Sequence, residues 1–283
     1  MNEKIIKGKD VSLRVLEDIK ILQKQADGLL PKVALIRVGN NGDDMAYERS
    51  IIKKFMQFDI ETKSLVLEDN VSLADMLCII NEMNKDEAIN GIIIFRPLPK
   101  HLDADIIAQT ISPEKDIDGM SYVNMARLMQ QEKKGFLPCT PQSIMSIIDY
   151  IGLELKGLNV TVVGAGMAVG RPLSIMMLNE RATVTICRAH TKDLVKECYS
   201  ADVIIAAAGV KHLITKNHVK DGAVVIDVGI NVEDGKLYGD VDFDNVVDKA
   251  KFITPVPGGV GSLTTLILAK HVYDALLQQN NLI

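Results

Sequence analysis

"VTVVGAGMAVGRP" (160–172) decides the fold of this chain. A β-branched apolar run is followed by Gly164, Gly166 and Gly170, and then by residues suited to a helix. The order is strand, tight turn, helix. Glycines allow a backbone to approach a pyrophosphate, and a helix N-terminus adds N–H groups and the positive end of its dipole. The spacing is G-x-G-x-x-x-G, because Val169 stands where a literal G-x-G-x-x-G needs glycine. Two readings remain: a dinucleotide-binding turn that also includes Ala165 and Val169, or a plain tight turn between strand and helix. Context favours the first, since the next strand, "ATVTIC" (182–187), ends about 20 residues further on.

The residue ending that second strand often selects the cofactor. An acid there accepts bonds from a ribose 2′-hydroxyl, whereas an arginine suits a 2′-phosphate. Here the strand runs into "RAHTKD", so Arg188 occupies the place of the acid and Asp193 comes too late. This favours NADP and leaves NAD possible. The alternative for Arg188 is a solvated surface residue.

Outward from the turn, helix-like and strand-like stretches alternate, which predicts an α/β protein with mostly parallel sheets. Helices are expected over 11–30, 43–58, 72–84 and about 262–277, with Asp43 and Asp44 at the start of the second. Strands are expected at 32–39, 62–67, 91–95, 159–164, 182–187, 202–209 and 222–229. At ~100–200 residues per domain, 283 residues suggest two domains. The expected division is 1–145 and 146–270, with 271–283 returning to the first.

Composition narrows the partners. The net charge is −5 with no basic block, and aromatic residues are 4% with no Trp, which argues against nucleic acid. No apolar run approaches the ~18 residues that span a membrane, and "MNEKIIKGKD" lacks a signal peptide's apolar segment. Cys78, Cys139, Cys187 and Cys198 have no CxxC spacing, so they are read as reduced thiols of a cytoplasmic protein with no metal site. His101, His190, His212, His218 and His271 are scattered and read as surface or locally bonded residues. "KDIDG" (115–119) reads alone as a surface turn, and "PVPGGVGS" (255–262) as a backbone-rich loop before a helix.

Nine segments in order, taken together, resemble the FolD family, methylenetetrahydrofolate dehydrogenase/cyclohydrolase. They are "VGNNGDDMAY" (38–47), "GIIIFRPLPKHL" (91–102), "SPEKDIDGMSYVN" (112–124), "PCTP" (138–141), "VVGAGMAVGRP" (162–172), "ATVTICRAHT" (182–191), "VIDVGIN" (225–231), "GDV" (239–241) and "TPVPGGVGSLT" (254–264). The resemblance implies an N-terminal folate-side domain, a Rossmann-type nicotinamide-cofactor domain, a cleft between them, and a homodimer. It implies oxidation of 5,10-methylenetetrahydrofolate to the 5,10-methenyl cation, which most members then hydrolyse to 10-formyltetrahydrofolate. By the same match, Tyr47 looks like the tyrosine that packs on the aminobenzoate ring and Asp118 like the aspartate that bonds the pterin. These two are the candidate catalytic-site residues. Phe95, Leu98, Pro257, Gly258, Gly259 and Val260 are candidate substrate-binding residues. Thr191 and Ile230 match positions that touch the cofactor.

The chain departs from the family at two positions that serve one step. The family pattern Y-x-x-x-K has Ile51 at its lysine, and V-Q-L-P-L-P has Phe95 at its glutamine. Hydride removal needs orientation and little proton transfer. Water attack on the methenyl cation needs a group that takes and returns a proton, typically worth ~10²–10⁴-fold. Ile51 and Phe95 supply none of this. The expectation is a dehydrogenase whose cyclohydrolase step is weak or lost. The alternatives are a fully bifunctional enzyme, with Lys54 reaching back one turn, and a dinucleotide-binding regulator without chemistry. Ser262 and Leu263, where the family usually has Pro-Met, and Gln142-Ser143 are smaller departures.

Overall fold

The computed structural model describes residues 3–132 and 134–283, without the side chain of Asp43. The chain forms two compact units, one of Arg14–Cys139 with Thr265–Ile283, the other of Thr140–Thr264 with the described residues up to Leu13.

In the N-terminal part the order is α1 (Gly8–Gln25), β1 (Lys32–Val38), α2 (Gly42–Met56), β2 (Glu61–Leu67), α3 (Leu73–Lys85), β3 (Gly91–Ile94), α4 (Ala104–Thr110) and α5 (Tyr122–Met129). α1 stops earlier than its apolar spacing suggests. Asp27 and Gly28 adopt positive φ (47° and 87°), which a helix cannot continue through. The three strands form a parallel sheet in the order β2-β1-β3, and Val33 pairs with both Thr62 and Gly91. α3 begins at Ser72, whose hydroxyl accepts the Asp75 N–H, and it turns Met76, Ile80 and Met83 inward. These join Ala34, Ile36, Ile92 and Ile107 in the unit's core. Each such buried side chain contributes ~1.5–3 kcal/mol relative to exposure.

α6 (Cys139–Tyr150) carries Pro141 in its first turn, where proline is tolerated. Then come β4 (Asn159–Val163), α7 (Gly170–Asn179), β5 (Thr183–Cys187), α8 (Leu194–Tyr199), β6 (Val203–Ala206), β7 (Val224–Asp227), β8 (Asn231–Glu233), β9 (Lys236–Tyr238), α9 (Phe243–Val246) and β10 (Phe252–Ile253). Five strands form a parallel sheet ordered β10-β7-β6-β4-β5, and β8-β9 is a separate antiparallel hairpin. Counted from β4, the order is 2-1-3-4-5, a doubly wound Rossmann-type sheet whose direction reverses on either side of β4. Its core gathers Val163, Ile204, Val225, Val241 and Ile253.

The division differs from the expected boundaries at both ends. The start of the chain belongs to the Rossmann-type unit, because Ile5 bridges to Ile253 and the Gly8 N–H donates to the Gly258 carbonyl at 2.9 Å. The last helix, α10 (Gly261–Gln279), changes units at 264/265 rather than at 270/271. Its far end is tied to the first unit. The Tyr273 hydroxyl donates to the Phe58 carbonyl at 2.7 Å, and Gln279 Nε2 donates to the Asn90 and Glu114 carbonyls, both at 3.0 Å. Among the described residues, no helix is long and apolar enough to cross a membrane.

Candidate functional site

In the first unit, Tyr47 lies on the second turn of α2 and is partly exposed. Its ring meets Phe95 edge-on, with centroids 5.9 Å apart and planes at 79°. Phe95 is buried just past β3, held by its N–H to the Ile36 carbonyl at 2.9 Å. The helix is fixed by a buried ion pair beside the tyrosine. Arg37 Nε donates to Glu48 Oε2 at 2.9 Å, and Arg37 Nη1 reaches the Gly39 carbonyl. Breaking such a pair on one side costs ~3–5 kcal/mol, because the other charge is left buried.

Ile51 is fully buried one turn after Tyr47. The Lys54 amine sits 5.7 Å from the centre of the Phe58 ring, further down the helix. Leu98 is half-buried and packs against the unit's core.

Asp118 lies beyond α4, in a turn that is held against β3 by the Ile92 N–H donating to the Lys115 carbonyl at 2.8 Å and is built around the buried Asp116 carboxylate. Asp116 accepts from the Met120 and Ser121 N–H groups at 3.0 and 2.7 Å and from Asn124 Nδ2 at 2.9 Å. Gly119 has φ +68°, and a Cβ there would run into the Leu137–Pro138 backbone. Burial, reinforced by Asp116, pushes the Asp118 carboxyl up to about 7, against a thiol bond from Cys139 and the charge of Arg96. Burial and the Asp118 charge likewise raise the Tyr47 hydroxyl well above its ordinary value. Tyr47, Phe95 and Asp118 thus share one constellation. "KDIDG" is therefore no surface turn: Lys115 and Asp116 are buried, and the Lys115 amine ends α3 by donating to the Met83 and Asp86 carbonyls at 3.0 and 2.7 Å.

In the second unit, Gly164 has φ +122°, and a Cβ on it would strike the Ala207 carbonyl. A Cβ on Gly170 would fall on the Gly164 carbonyl, so the turn folds tightly onto the start of α7. A Cβ on Gly166 meets nothing within 4 Å. The turn therefore presents an open cradle, with Ala165 and Val169 half-buried beside it and no side chain capping α7. It stands at the C-terminal end of β4, the switch point where such sheets bind ligands. A pyrophosphate fits this geometry.

Arg188 is exposed just after β5, and its N–H donates to Thr191 Oγ1 at 2.9 Å, closing a tight turn. Ile230 is 67% exposed directly before β8. Behind it, the Asp240 carboxylate accepts from the Ala208, Gly209 and Val210 N–H groups at 2.6–2.9 Å and from Asn231 Nδ2 at 2.9 Å. Asp227 accepts from Gly229, Asp240 and Val241, and burial pushes its carboxyl up to about 6. In the loop after β10, Pro257 and Gly258 are exposed, whereas Gly259 and Val260 are buried. Ser262 donates to the Gly259 carbonyl at 2.8 Å, which gives the serine at this departure a definite task.

Sequence reasoning passed over the Arg37–Glu48 pair, read Cys139 only as a reduced thiol, and read His271 as a surface or locally bonded residue, whereas it is buried and meets the distant Ile117 carbonyl. None carries a spacing signal, because each meets its partner through the fold. Cys139 and His271 lie 132 positions apart yet touch at 3.5 Å.

Two family models match the chain. The tetrahydrofolate dehydrogenase/cyclohydrolase catalytic domain covers residues 6–118, and the NAD(P)-binding domain of the same family covers 138–280. The bifunctional protein FolD of Alkaliphilus metalliredigens is 46% identical over 281 residues, 98% of this chain and 99% of that one. The crystal structure of the bifunctional FolD methylenetetrahydrofolate dehydrogenase/cyclohydrolase of Campylobacter jejuni superposes with a TM-score of 0.93 at 37% identity, covering 96% of this chain and 98% of that one. The methylenetetrahydrofolate dehydrogenase-cyclohydrolase of Trypanosoma brucei, solved with NADP and an inhibitor, gives 0.90 at 31% identity, covering 97% of each. With nearly its whole length matched and both units accounted for, the chain belongs to the FolD tetrahydrofolate dehydrogenase/cyclohydrolase family.

Proposed function

We propose that this chain oxidises 5,10-methylenetetrahydrofolate to the 5,10-methenyl form with a nicotinamide cofactor, NADP in preference to NAD. The observation that carries the reading is the assembly of Tyr47, Phe95 and Asp118 into one constellation. Tyr47 offers a ring to the aminobenzoate, and Asp118 offers a carboxylate to the N–H donors of the pterin. By the family match, Leu98, Pro257, Gly258, Gly259 and Val260 are further candidates for folate binding. The turn from Gly164 to Gly170 and the start of α7 would hold the pyrophosphate. Arg188 and Thr191 would hold the ribose 2′-phosphate, and Ile230 would lie along the nicotinamide end. When bound, the nicotinamide supplies a hydride acceptor. The chain's residues contribute orientation, for which hydride removal has most need. The NADP in the trypanosomal relative supports the phosphate assignment.

The relatives are named bifunctional, and they favour the fuller reading, in which the chain also hydrolyses the methenyl product to 10-formyltetrahydrofolate. One observation specific to this chain favours a second reading, oxidation with weak hydrolysis. Ile51 is buried where the family carries its lysine, Phe95 packs on Tyr47 where the family carries glutamine, and Lys54 lies against Phe58. The reduced thiols Cys78, Cys139, Cys187 and Cys198 suit the cytoplasm, and a homodimer belongs to the same proposal.

Purified protein is mixed with methylenetetrahydrofolate and either NAD or NADP, and nicotinamide reduction is followed. Faster reduction of NADP, lost on Arg188→Ala, is expected; an unchanged preference in that variant rejects the phosphate grip. Hydrolysis of methenyltetrahydrofolate above the spontaneous rate supports the fuller reading, and its disappearance in Lys54→Ala would assign the proton carrier. A rate equal to the spontaneous one supports the second reading.

A further inference from the structure

We propose that His271 is a positioning residue for Asp118, acting through the peptide bond that joins Ile117 to it. The inference rests on the reading that Asp118 binds the pterin. His271 projects from the part of α10 that belongs to the first unit, is 3% exposed, and lies with its ring 5.2 Å from that of Phe136. Its Nδ1 is 2.7 Å from the Ile117 carbonyl oxygen. A carbonyl only accepts, so Nδ1 carries the proton and donates it. The same oxygen is 3.4 Å from Cys139 Sγ, which opens α6 and also bonds the Asp118 carboxyl. Burial holds the His271 ring neutral, its value lowered to about 4, so the tautomer set by the carbonyl persists at neutral pH.

The consequence follows from peptide geometry. The Ile117 C=O and the Asp118 N–H belong to one planar unit, so fixing the carbonyl fixes the direction in which the chain enters Asp118. Asp116 pins the turn from the other side through Met120, Ser121 and Asn124. Without the His271 donor, a longer thiol contact remains on the carbonyl side. Asp118 then reaches the pterin less often in the bonding geometry, which weakens folate binding and leaves the cofactor's own site alone.

Four variants test this: His271→Asn, His271→Gln, His271→Leu and Asp118→Ala. Each is measured for the KM of methylenetetrahydrofolate, the KM of the cofactor, and thermal melting. Asparagine keeps a nitrogen donor on Cγ, in the place of Nδ1, whereas glutamine moves it one bond further out and leucine removes it. Gln and Leu are expected to raise the folate KM roughly tenfold, about 1.4 kcal/mol. Asn is expected to stay within about twofold, with the cofactor KM unchanged in all three. Equal impairment of Asn and Gln, an unchanged folate KM in Gln, or a parallel rise in both KM values would overturn the positioning role. If leucine prevents folding, the Asn–Gln comparison still decides. A raised folate KM in Asp118→Ala with none in His271→Gln rejects this inference alone; an unchanged one rejects the role of Asp118 itself.

Discussion

At the scale of single residues, the pH behaviour expected of the proposed site rests on Asp118. Its carboxyl is pushed from an ordinary 3.8 to about 7, mainly by burial and then by Asp116. Across that interval the folded chain keeps a proton that the unfolded chain has released. Stability from this group is therefore full below the ordinary value and is lost as pH rises through about 7. In the proposed role Asp118 accepts from pterin N–H donors and must be ionised, so the sign for binding is opposite. The KM for methylenetetrahydrofolate should fall as pH rises through about 7, and Asp118→Asn should flatten that profile. Steady-state kinetics across the range checks it. A wild-type KM that ignores pH while the variant binds normally would remove Asp118 from the folate site. The residue's identity was readable only through the family match, since "KDIDG" in isolation looks like an exposed turn. What makes it unusual is burial between Asp116, two positions before it, and Cys139, which the fold brings in from 21 positions on.

At the scale of elements, the Gly-rich turn shows how far spacing alone can be trusted. The missing glycine at Val169 is compensated by Gly170, whose Cβ position lies on the Gly164 carbonyl. The glycine requirement has moved by one residue and has not vanished. Gly170→Ala should cost ~1–3 kcal/mol of stability through overpacking and weaken cofactor binding. Denaturant unfolding and a cofactor titration measure the two effects. An alanine variant with wild-type values in both would show that the turn has room to relax. Strand positions were legible because buried parallel strands are short β-branched runs, and each run found its place in a sheet. Helix ends were less so. The α1 pattern continues into "ADGLL", but positive φ at Asp27 and Gly28 stops the helix, and apolar periodicity carries no record of that. The Arg37–Glu48 pair was invisible for a different reason: an Arg within a strand reads as a surface residue until its partner helix packs on it.

At the scale of the whole molecule, two units are woven from a chain that passes between them at 13/14, 139/140 and 264/265. Linear reading expected a single return, of 271–283 to the first domain. It gave the first residues to the folate side, because nothing in "MNEKIIKGKD" reports the Ile5–Ile253 bridge. Function was legible at this scale because nine motifs recur in order, each weak alone. The balance between oxidation and hydrolysis was not: Ile51 and Phe95 pointed to weak hydrolysis, whereas the relatives bear bifunctional names, which favour the fuller reading. The most direct measurement is nicotinamide reduction by the purified chain mixed with methylenetetrahydrofolate and NADP. Reduction that requires the folate, stops when it is exhausted, and slows at least tenfold in Asp118→Ala is the expected result, tenfold corresponding to about 1.4 kcal/mol. Folded protein that reduces neither NADP nor NAD with this substrate would contradict the account.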